Sequence, residues 1–168
     1  MNAGNGTLIH RSAIVEDGAR IGANVEIGPF SVIGPEVVLA DNVRIYSHVV
    51  IAGKTEIGEG TQIFPFASIG HAPQDRKFRG EQSRLIIGSN NVIREHVTMN
   101  PGTEQGGLIT RVGNNGLFLT GSHIAHDCVI GNNVLLVNNA TIGGHCVIDD
   151  YASVGGLSAL HQNVRIGA

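Results

Sequence analysis

The chain has 168 residues, a formal net charge of −3, an aromatic content of 4% and no Trp. A chain of this length forms one domain at most, and its charge gives no general affinity for nucleic acid or for anionic membranes. No apolar run approaches the roughly 20 residues that would span a bilayer, and the N-terminus lacks the basic and apolar layout of a signal peptide. We therefore expect a soluble intracellular protein with no integral membrane segment and no nucleic acid partner.

An apolar residue recurs at every sixth position along most of the chain. The register is unbroken over 9–69, resumes over 87–99 and runs again over 112–166. Six residues of an α-helix rotate through about 600°, so a helix would place each apolar residue about 120° from the last. The period instead predicts an all-β fold, a parallel β-helix of hexapeptide repeats. With three hexads per turn, about nine coils would stack over about 45 Å.

A second inward position, the fifth of each hexad, carries a small or β-branched residue. Both cysteines, Cys128 and Cys146, occupy this position and lie eighteen residues apart. They would therefore stack in adjacent coils, about 4.8 Å apart, which is close enough for a disulfide. Buried free thiols that act as small apolar fillers are the interpretation we favour.

Two stretches interrupt the hexads. Residues 72–86 are polar and contain a group of basic side chains, whereas residues 100–111 contain Pro and three Gly and shift the register by one. Insertions in a solenoid become loops that project from one face, often the binding face. We expect two such loops, with plain solvated loops as the alternative.

Histidines concentrate in three hexads that would stack on one another, those beginning at Ile124, Ile142 and Leu160. The third positions of these hexads form one outward column and the fourth positions form the next. Half of the eight histidines fall on this face. The predicted patch contains His123, His126, Asp127, Gly144, His145, His161 and Gln162.

The patch has the groups that a proton-transfer reaction needs. His126 is the candidate general base, because a neutral imidazole can remove a proton from a hydroxyl. Asp127 could fix its tautomer, but Asp127 also stacks beneath His145, and the sequence leaves both pairings open. Gly144 has no side chain, so its N–H could donate to a developing oxyanion. No Ser or Cys lies beside His126 in the outward columns, so direct transfer fits better than a covalent enzyme intermediate.

The segments around these residues resemble the UDP-N-acetylglucosamine acyltransferase family. The resemblance spans essentially the whole chain, and the His-Ile-Ala-His-Asp segment is highly specific, whereas hexads alone are shared by many transferases. It is carried by His123-Ile-Ala-His-Asp-Cys128, Gly143-Gly-His145, Leu160-His-Gln162 and Phe66-Ala-Ser-Ile-Gly70 ahead of Gln74-Asp75.

The resemblance implies a left-handed β-helix, an exception to the usual right-handed crossover, and a homotrimer with sites between subunits. The family transfers an (R)-3-hydroxyacyl chain from acyl carrier protein to the glucosamine 3-hydroxyl of UDP-N-acetylglucosamine, the first step of lipid A synthesis. No cofactor and no metal are implied. Acyl chain length and the choice between a hydroxyl and an amine acceptor stay open.

By the same resemblance, His126 matches the general base, Asp127 its orienting partner and Gly144 the oxyanion donor. The matching substrate-contacting positions are Asp75, Lys77, His123, His145, His161 and Gln162. Asn100-Pro101 stands where some members have His-Arg, so no role is carried over there. We expect residues 1–168 to be a hexapeptide-repeat domain that lacks the family's last coil and its C-terminal helical domain, and so to bind substrate poorly.

Two other functions remain as alternatives. A zinc hydratase of the γ-carbonic anhydrase type shares this fold, and His123, His126 and His145 could be its ligands. Zinc needs ligands that converge at about 2.1 Å, and histidines three apart on a bent strand converge less readily. The second alternative is a non-catalytic β-helix scaffold.

Overall fold

A computed structural model of the protein describes residues 2–3 and 6–167. They form an all-β, left-handed parallel β-helix whose three sheets run along the sides of a triangular prism. Each sheet contains eight parallel strands, close to the nine coils expected from length; the two insertions account for the difference. The fold class predicted from the hexads is confirmed.

Most strands contain two residues, and strands of one sheet follow each other at every third position in the chain. Sheet A contains β1 (Asn2–Ala3), β2 (Thr7–Ile9), β5 (Glu26–Ile27), β8 (Arg44–Ile45), β11 (Gln62–Ile63), β14 (Val92–Ile93), β17 (Leu117–Phe118), β20 (Leu135–Leu136) and β23 (Ser153–Val154). Sheet B contains β3 (Ile14–Val15), β6 (Val32–Ile33), β9 (Val50–Ile51), β12 (Ser68–Ile69), β15 (Thr98–Met99), β18 (His123–Ile124), β21 (Thr141–Ile142) and β24 (Ala159–Leu160). Sheet C contains β4 (Arg20–Ile21), β7 (Val38–Leu39), β10 (Lys54–Ile57), β13 (Arg84–Ile87), β16 (Ile109–Val112), β19 (Val129–Ile130), β22 (Val147–Ile148) and β25 (Arg165–Ile166). The two-residue β1 pairs antiparallel with β2.

The core is a single column of mostly aliphatic side chains. The large inward residues, such as Ile33, Ile63 and Phe118, are fully buried. Burying one such side chain contributes about 1.5–3 kcal/mol, so the column can stabilise a chain that has few aromatic residues. Cys128 and Cys146 lie in this core as free thiols, as we predicted.

The corners of the prism are tight turns in which one residue has a positive φ. At the corner between sheets C and A this residue is repeatedly Asn, with φ of 54° at Asn24 and 58° at Asn115. Asn tolerates this region better than most non-Gly residues. Side-chain amides join successive coils there, as where Asn114 Nδ2 donates to Asn132 Oδ1 at 3.0 Å. These corners are structural.

Both insertions leave the prism at the corner between sheets B and C. Ser68 pairs with Thr98 and Thr98 with His123, so the repeat lengthens from 18 to 30 and then to 25 residues. The first loop follows β12 and the second follows β15. His126 follows β18 at the same corner. We call residues 70–83 insertion 1 and residues 100–108 insertion 2.

The predicted bounds of both loops were wrong at their C-terminal ends. Residues 84–86 belong to β13 and residues 109–111 belong to β16. In β13 buried Leu85 and Ile87 alternate with outward residues, and the outward Arg84 pairs with Glu56 of β10. The basic residue is therefore part of a strand, although its charge resembles that of the loop before it. Within the described residues the one helical segment is a 3-10 turn, Glu104–Gly106, and no helix there could cross a membrane.

Candidate active site

A cleft of about 300 Å³ opens where the insertions leave the prism. It is lined by Gln74, Asn100, His123, Ala125, His126, Thr141, Gly143, Gly144 and Gln162. Four of the nine residues predicted for the site therefore lie on its wall.

A larger groove of about 530 Å³ lies on sheet A, near Ile9 and Tyr46. Its charged residues Glu26 and Arg44 already pair with each other at 2.9 Å. The smaller cleft is instead lined by two imidazoles, one of which is bonded to a buried carboxylate. We therefore assign the chemistry to the smaller cleft.

His126 and Asp127 form a buried pair beside this cleft. His126 Nδ1 lies 2.7 Å from Asp127 Oδ2, whereas His145 Nε2 lies 3.8 Å from the same oxygen. The first distance is a hydrogen bond and the second is not. The carboxylate accepts, so Nδ1 carries the proton and Nε2 of His126 is left as the basic nitrogen. Of the two pairings that the sequence left open, the structure has the one with His126.

Insertion 2 holds the carboxylate from the other side. Thr103 donates its backbone N–H to Asp127 Oδ1 at 2.7 Å and its hydroxyl to Oδ2 at 2.6 Å. The backbone N–H of Asp127 in turn donates to Thr110 Oγ1 at 2.8 Å. Asp127 has a φ of 62° at this corner, so these contacts also stabilise a conformation that is uncommon for a non-Gly residue.

Gly144 lies one coil along from His126 and packs against its ring. A Cβ atom at Gly144 would come within 2.5 Å of His126 Cε1 and 2.7 Å of Nε2. Glycine is therefore required here for steric reasons, independently of any role for its N–H. The predicted stacking of residues eighteen apart is confirmed at this pair.

His123 and His145 both lie near His126 but in different environments. His123 Nδ1 and Thr98 Oγ1 are 2.7 Å apart, so one hydrogen bond orients the ring from the preceding coil. Burial, together with the nearby His126, lowers the pKa of His123 and favours its neutral form. The ring of His145 crosses that of His126 at 87° with centroids 5.0 Å apart.

The remaining predicted residues lie away from the cleft wall. Asp75 and Lys77 belong to insertion 1, where Asp75 Oδ1 accepts the backbone N–H of Lys77 at 3.0 Å. Lys77 Nζ donates to Gln105 Oε1 at 3.2 Å and so links the two insertions. His161 is exposed, with Nδ1 3.3 Å from the carbonyl oxygen of Gln162.

Sequence reasoning missed Asn100, Thr98 and Thr103. Asn100 is 5% exposed; its Nδ2 donates to the carbonyl of His71 at 3.0 Å, while Oδ1 has no partner among the described residues. A buried acceptor without a partner costs about 1–3 kcal/mol, which a bound ligand could recover. Asn100 could have been found from the sequence as a polar residue in an outward position at the start of insertion 2. Thr103 carried no signal, because the register is lost inside the insertion.

Cysteine does not supply a nucleophile in this site. Burial raises the pKa of the Cys128 thiol to about 12, and Sγ donates to the carbonyl of Gly143 at 3.1 Å. A thiol in this state is a poor source of thiolate.

The histidines proposed for zinc are not brought together as a set. Among the described residues, the group whose ligand atoms converge is His126, Asp127 and His145, all within 4.8 Å. His123 is outside this group, and its Nδ1 is bonded to Thr98. In the converging group, Asp127 Oδ2 already accepts hydrogen bonds from His126 and Thr103.

Comparison with family models identifies the repeats. The model described as "Bacterial transferase hexapeptide (six repeats)" matches residues 4–35 and 18–53. This match concerns the N-terminal coils and does not include the cleft.

Curated relatives and solved structures match a larger part of the chain. An acyl-[acyl-carrier-protein]–UDP-N-acetylglucosamine O-acyltransferase from Rickettsia typhi is 62% identical over 120 residues, 71% of this chain and 46% of the relative. The chain therefore spans about half the length of the curated relatives it matches.

Two crystal structures extend the comparison. The UDP-N-acetylglucosamine acyltransferase of Francisella novicida superposes with a TM-score of 0.94 at 42% identity, covering 95% of this chain and 58% of that one. The enzyme of the same name from Bacteroides fragilis superposes with a TM-score of 0.70 at 39% identity, covering 95% of this chain and 67% of that one.

Proposed function

Because this chain belongs to the UDP-N-acetylglucosamine acyltransferase family, we propose that its cleft is an acyltransferase site. The reaction moves an (R)-3-hydroxyacyl chain from acyl carrier protein to the glucosamine 3-hydroxyl of UDP-N-acetylglucosamine, at the start of lipid A synthesis. One observation carries the proposal: His126 lines the cleft, is bonded to buried Asp127, and has Gly144 packed against its imidazole.

His126 acts as the general base. Nε2 accepts the proton of the acceptor hydroxyl while that oxygen attacks the thioester carbonyl and a C–O bond forms. The N–H of Gly144 donates to the oxyanion of the intermediate. When the intermediate collapses, the C–S bond breaks and His126 returns the proton to the departing sulfur. Asp127 keeps Nδ1 protonated throughout and stabilises the imidazolium.

The other polar groups of the cleft bind the acceptor. His123 is held neutral by burial, so its second nitrogen can exchange a hydrogen bond with a sugar hydroxyl. Asn100 Oδ1, which has no partner among the described residues, can accept from an O–H or N–H of the acceptor. Gln162 also lines the cleft.

The residues outside the cleft wall contact the distal parts of the substrates. Lys77 lies in the basic insertion 1, which suits the diphosphate of the nucleotide sugar. Asp75, His145 and His161 are proposed as substrate contacts on family resemblance alone.

The chain works in the cytoplasm as a homotrimer, with acyl carrier protein and the nucleotide sugar as partners. Residues 1–168 are the hexapeptide-repeat domain of this assembly. Several large apolar side chains are more than a third exposed, which suits subunit contacts. They include Ile14, Leu117, Val129 and Leu157. Sedimentation equilibrium tests the trimer directly.

A transfer assay tests the activity. The chain is incubated with hydroxyacyl carrier protein and radiolabelled UDP-N-acetylglucosamine, and the acylated sugar nucleotide is separated and counted. We expect product that requires both substrates and is lost in His126→Ala. Absence of product at high protein concentration overturns the proposal for this chain and favours the scaffold. Stoichiometric zinc that is lost in His126→Ala favours the hydratase.

A further inference from the structure

We infer that Thr103 is a positioning residue: it turns the Asp127 carboxylate toward His126 and away from His145. The inference deepens the proposed function, because the orientation decides which imidazole has a basic nitrogen facing the cleft. Thr103 itself does not line the cleft.

Asp127 lies between two imidazoles that could each take its carboxylate. Oδ2 is 2.7 Å from His126 Nδ1 and 3.8 Å from His145 Nε2. A rotation of the carboxylate, or a shift of the His145 ring by about 1 Å, would bring the second distance into hydrogen-bond range. The hydrogen bonds of the carboxylate must therefore decide between the two rings.

Thr103 supplies those hydrogen bonds at two points. Its N–H holds Oδ1 and its hydroxyl holds Oδ2, so the plane of the carboxylate is fixed. Thr103 is 3% exposed and the Asp127 side chain 1% exposed, so water does not compete for either oxygen. With His126, three donors point at the carboxylate, a number that the ionised acceptor-only form can satisfy.

The backbone of insertion 2 closes over the carboxylate. A Cβ atom at Gly106 would lie 1.9 Å from Asp127 Cγ, and one at Gly102 would lie 2.8 Å from Oδ1. The two glycines thus allow the loop to approach closely enough for both donors of Thr103 to reach Asp127. The insertion that interrupts the repeat is the part of the chain that orients the catalytic pair.

Nitrogen-15 NMR of the imidazole groups tests the inference in the chain as it is, without turnover. In the parent, we expect His126 with a protonated Nδ1, an unprotonated Nε2 and a slowly exchanging downfield Nδ1 proton. Thr103→Val removes the hydroxyl and keeps the shape and the N–H. We expect this variant to lose or broaden the downfield proton, with a bonded proton emerging on His145 Nε2, and Thr103→Ser to restore the parent spectrum.

A matched control is available one coil away. Thr98→Val removes a hydroxyl that bonds His123 Nδ1 at 2.7 Å, so it should change the His123 signals and leave His126 and His145 unchanged. If Thr103→Val does not fold, Thr103→Ala removes the same hydroxyl with a smaller side chain. His126 and His145 signals identical to the parent in a folded hydroxyl-free variant overturn the inference.

Turnover measurements distinguish a failure of this inference from a failure of the proposed function. In the transfer assay, Thr103→Val should lower kcat by about 10–100-fold with little change in KM, and Thr103→Ser should recover most of it. If the parent shows no turnover but the NMR change occurs, the proposed function fails and the positioning role stands. If the parent turns over and the tautomer is unaffected by Thr103→Val, the positioning role fails.

Discussion

Two corners of the same prism carry histidines, and they use them in opposite ways. At the corner between sheets A and B, imidazole and phenyl rings alternate in a ladder with centroids 5.0–5.2 Å apart. The ladder consists of Phe30, His48, Phe66 and His96. All four side chains are exposed. At the corner between sheets B and C, the imidazole of His126 is buried and bonded to a carboxylate.

The corner turn itself is the same at both corners, although His126 occupies the position before the positive-φ residue. His48 and His96 have φ of 58° and 59°, while Asp127 and His145 have 62° and 61°. The corners differ in what lies outside them, because both insertions leave the prism beside His126 and none leaves it beside the ladder. A repeat fold thus offers many equivalent corners, and the insertions decide which of them becomes a site.

The largest expected effect is a loss of transfer rate when a histidine is removed from the site corner but not when one is removed from the ladder corner. We expect His126→Ala to lower the transfer rate by at least about 10²–10⁴-fold, the usual contribution of a general base. His96→Ala, which removes a corner histidine from the ladder, should stay within a few-fold of the parent. The transfer assay measures both variants. Equal losses of transfer rate in the two variants would show that His126 is no more important for the reaction than a histidine of the ladder.

A smaller loss is expected when the ring of His126 is displaced rather than removed. Gly144→Ala places a Cβ within 2.5 Å of His126 Cε1, so the imidazole must move, and a displacement of about 1 Å can cost about 10²-fold in rate. Gly155→Ala is the control, because a Cβ there meets nothing closer than Ser158 Oγ at 3.6 Å. Parent-like rates in a folded Gly144→Ala variant would contradict the placement of His126 as base.

The ladder corner should respond in stability and not in activity. Phe66→Leu removes one ring that stacks on both His48 and His96, and each aromatic pair contributes about 0.5–1.5 kcal/mol. We expect a lower free energy of unfolding in urea by about 1 kcal/mol, since half of this ring is exposed to water, with an unchanged transfer rate. A loss of activity without a loss of stability would give the ladder a functional role.

The smallest expected effect is a pH dependence of stability at His123. Burial and His126 lower the pKa of His123, so the unfolded chain takes up the proton first as the pH falls. This contribution to stability is full above the unfolded pKa of about 6.5 and is lost as the pH falls toward the lower folded value.

The matched variant for this effect is His123→Gln, which keeps a polar side chain opposite Thr98. Thermal unfolding at about pH 7.5 and about pH 5.5 should show a smaller drop in Tm for His123→Gln than for the parent. An identical drop in both proteins would mean that the His123 pKa does not differ between the folded and unfolded chains.

The hexad period was enough to predict most of the fold, and the prediction was wrong only at the two stretches where the period is interrupted. It predicted the eighteen-residue coil, the inward cysteines and the stacking of Gly144 on His126, because each follows from a strict repeat. Arg84 was predicted to lie in a loop, because it follows a run of charged residues and the strand that begins there could not be recognised from the sequence. Asp75 and Lys77 came from resemblance alone, and the structure places them in insertion 1, outside the cleft wall.

The sequence alone determined the repeat length and therefore which residues share a face, since apolar spacing is a periodic property that can be counted along the chain. Only the tertiary structure decided that Asp127 bonds to His126 instead of His145, that Thr103 holds it there and that Asn100 lines the cleft. These choices depend on the paths of two aperiodic loops and on differences of about 1 Å between side-chain atoms. Neither quantity leaves a pattern in the order of the residues.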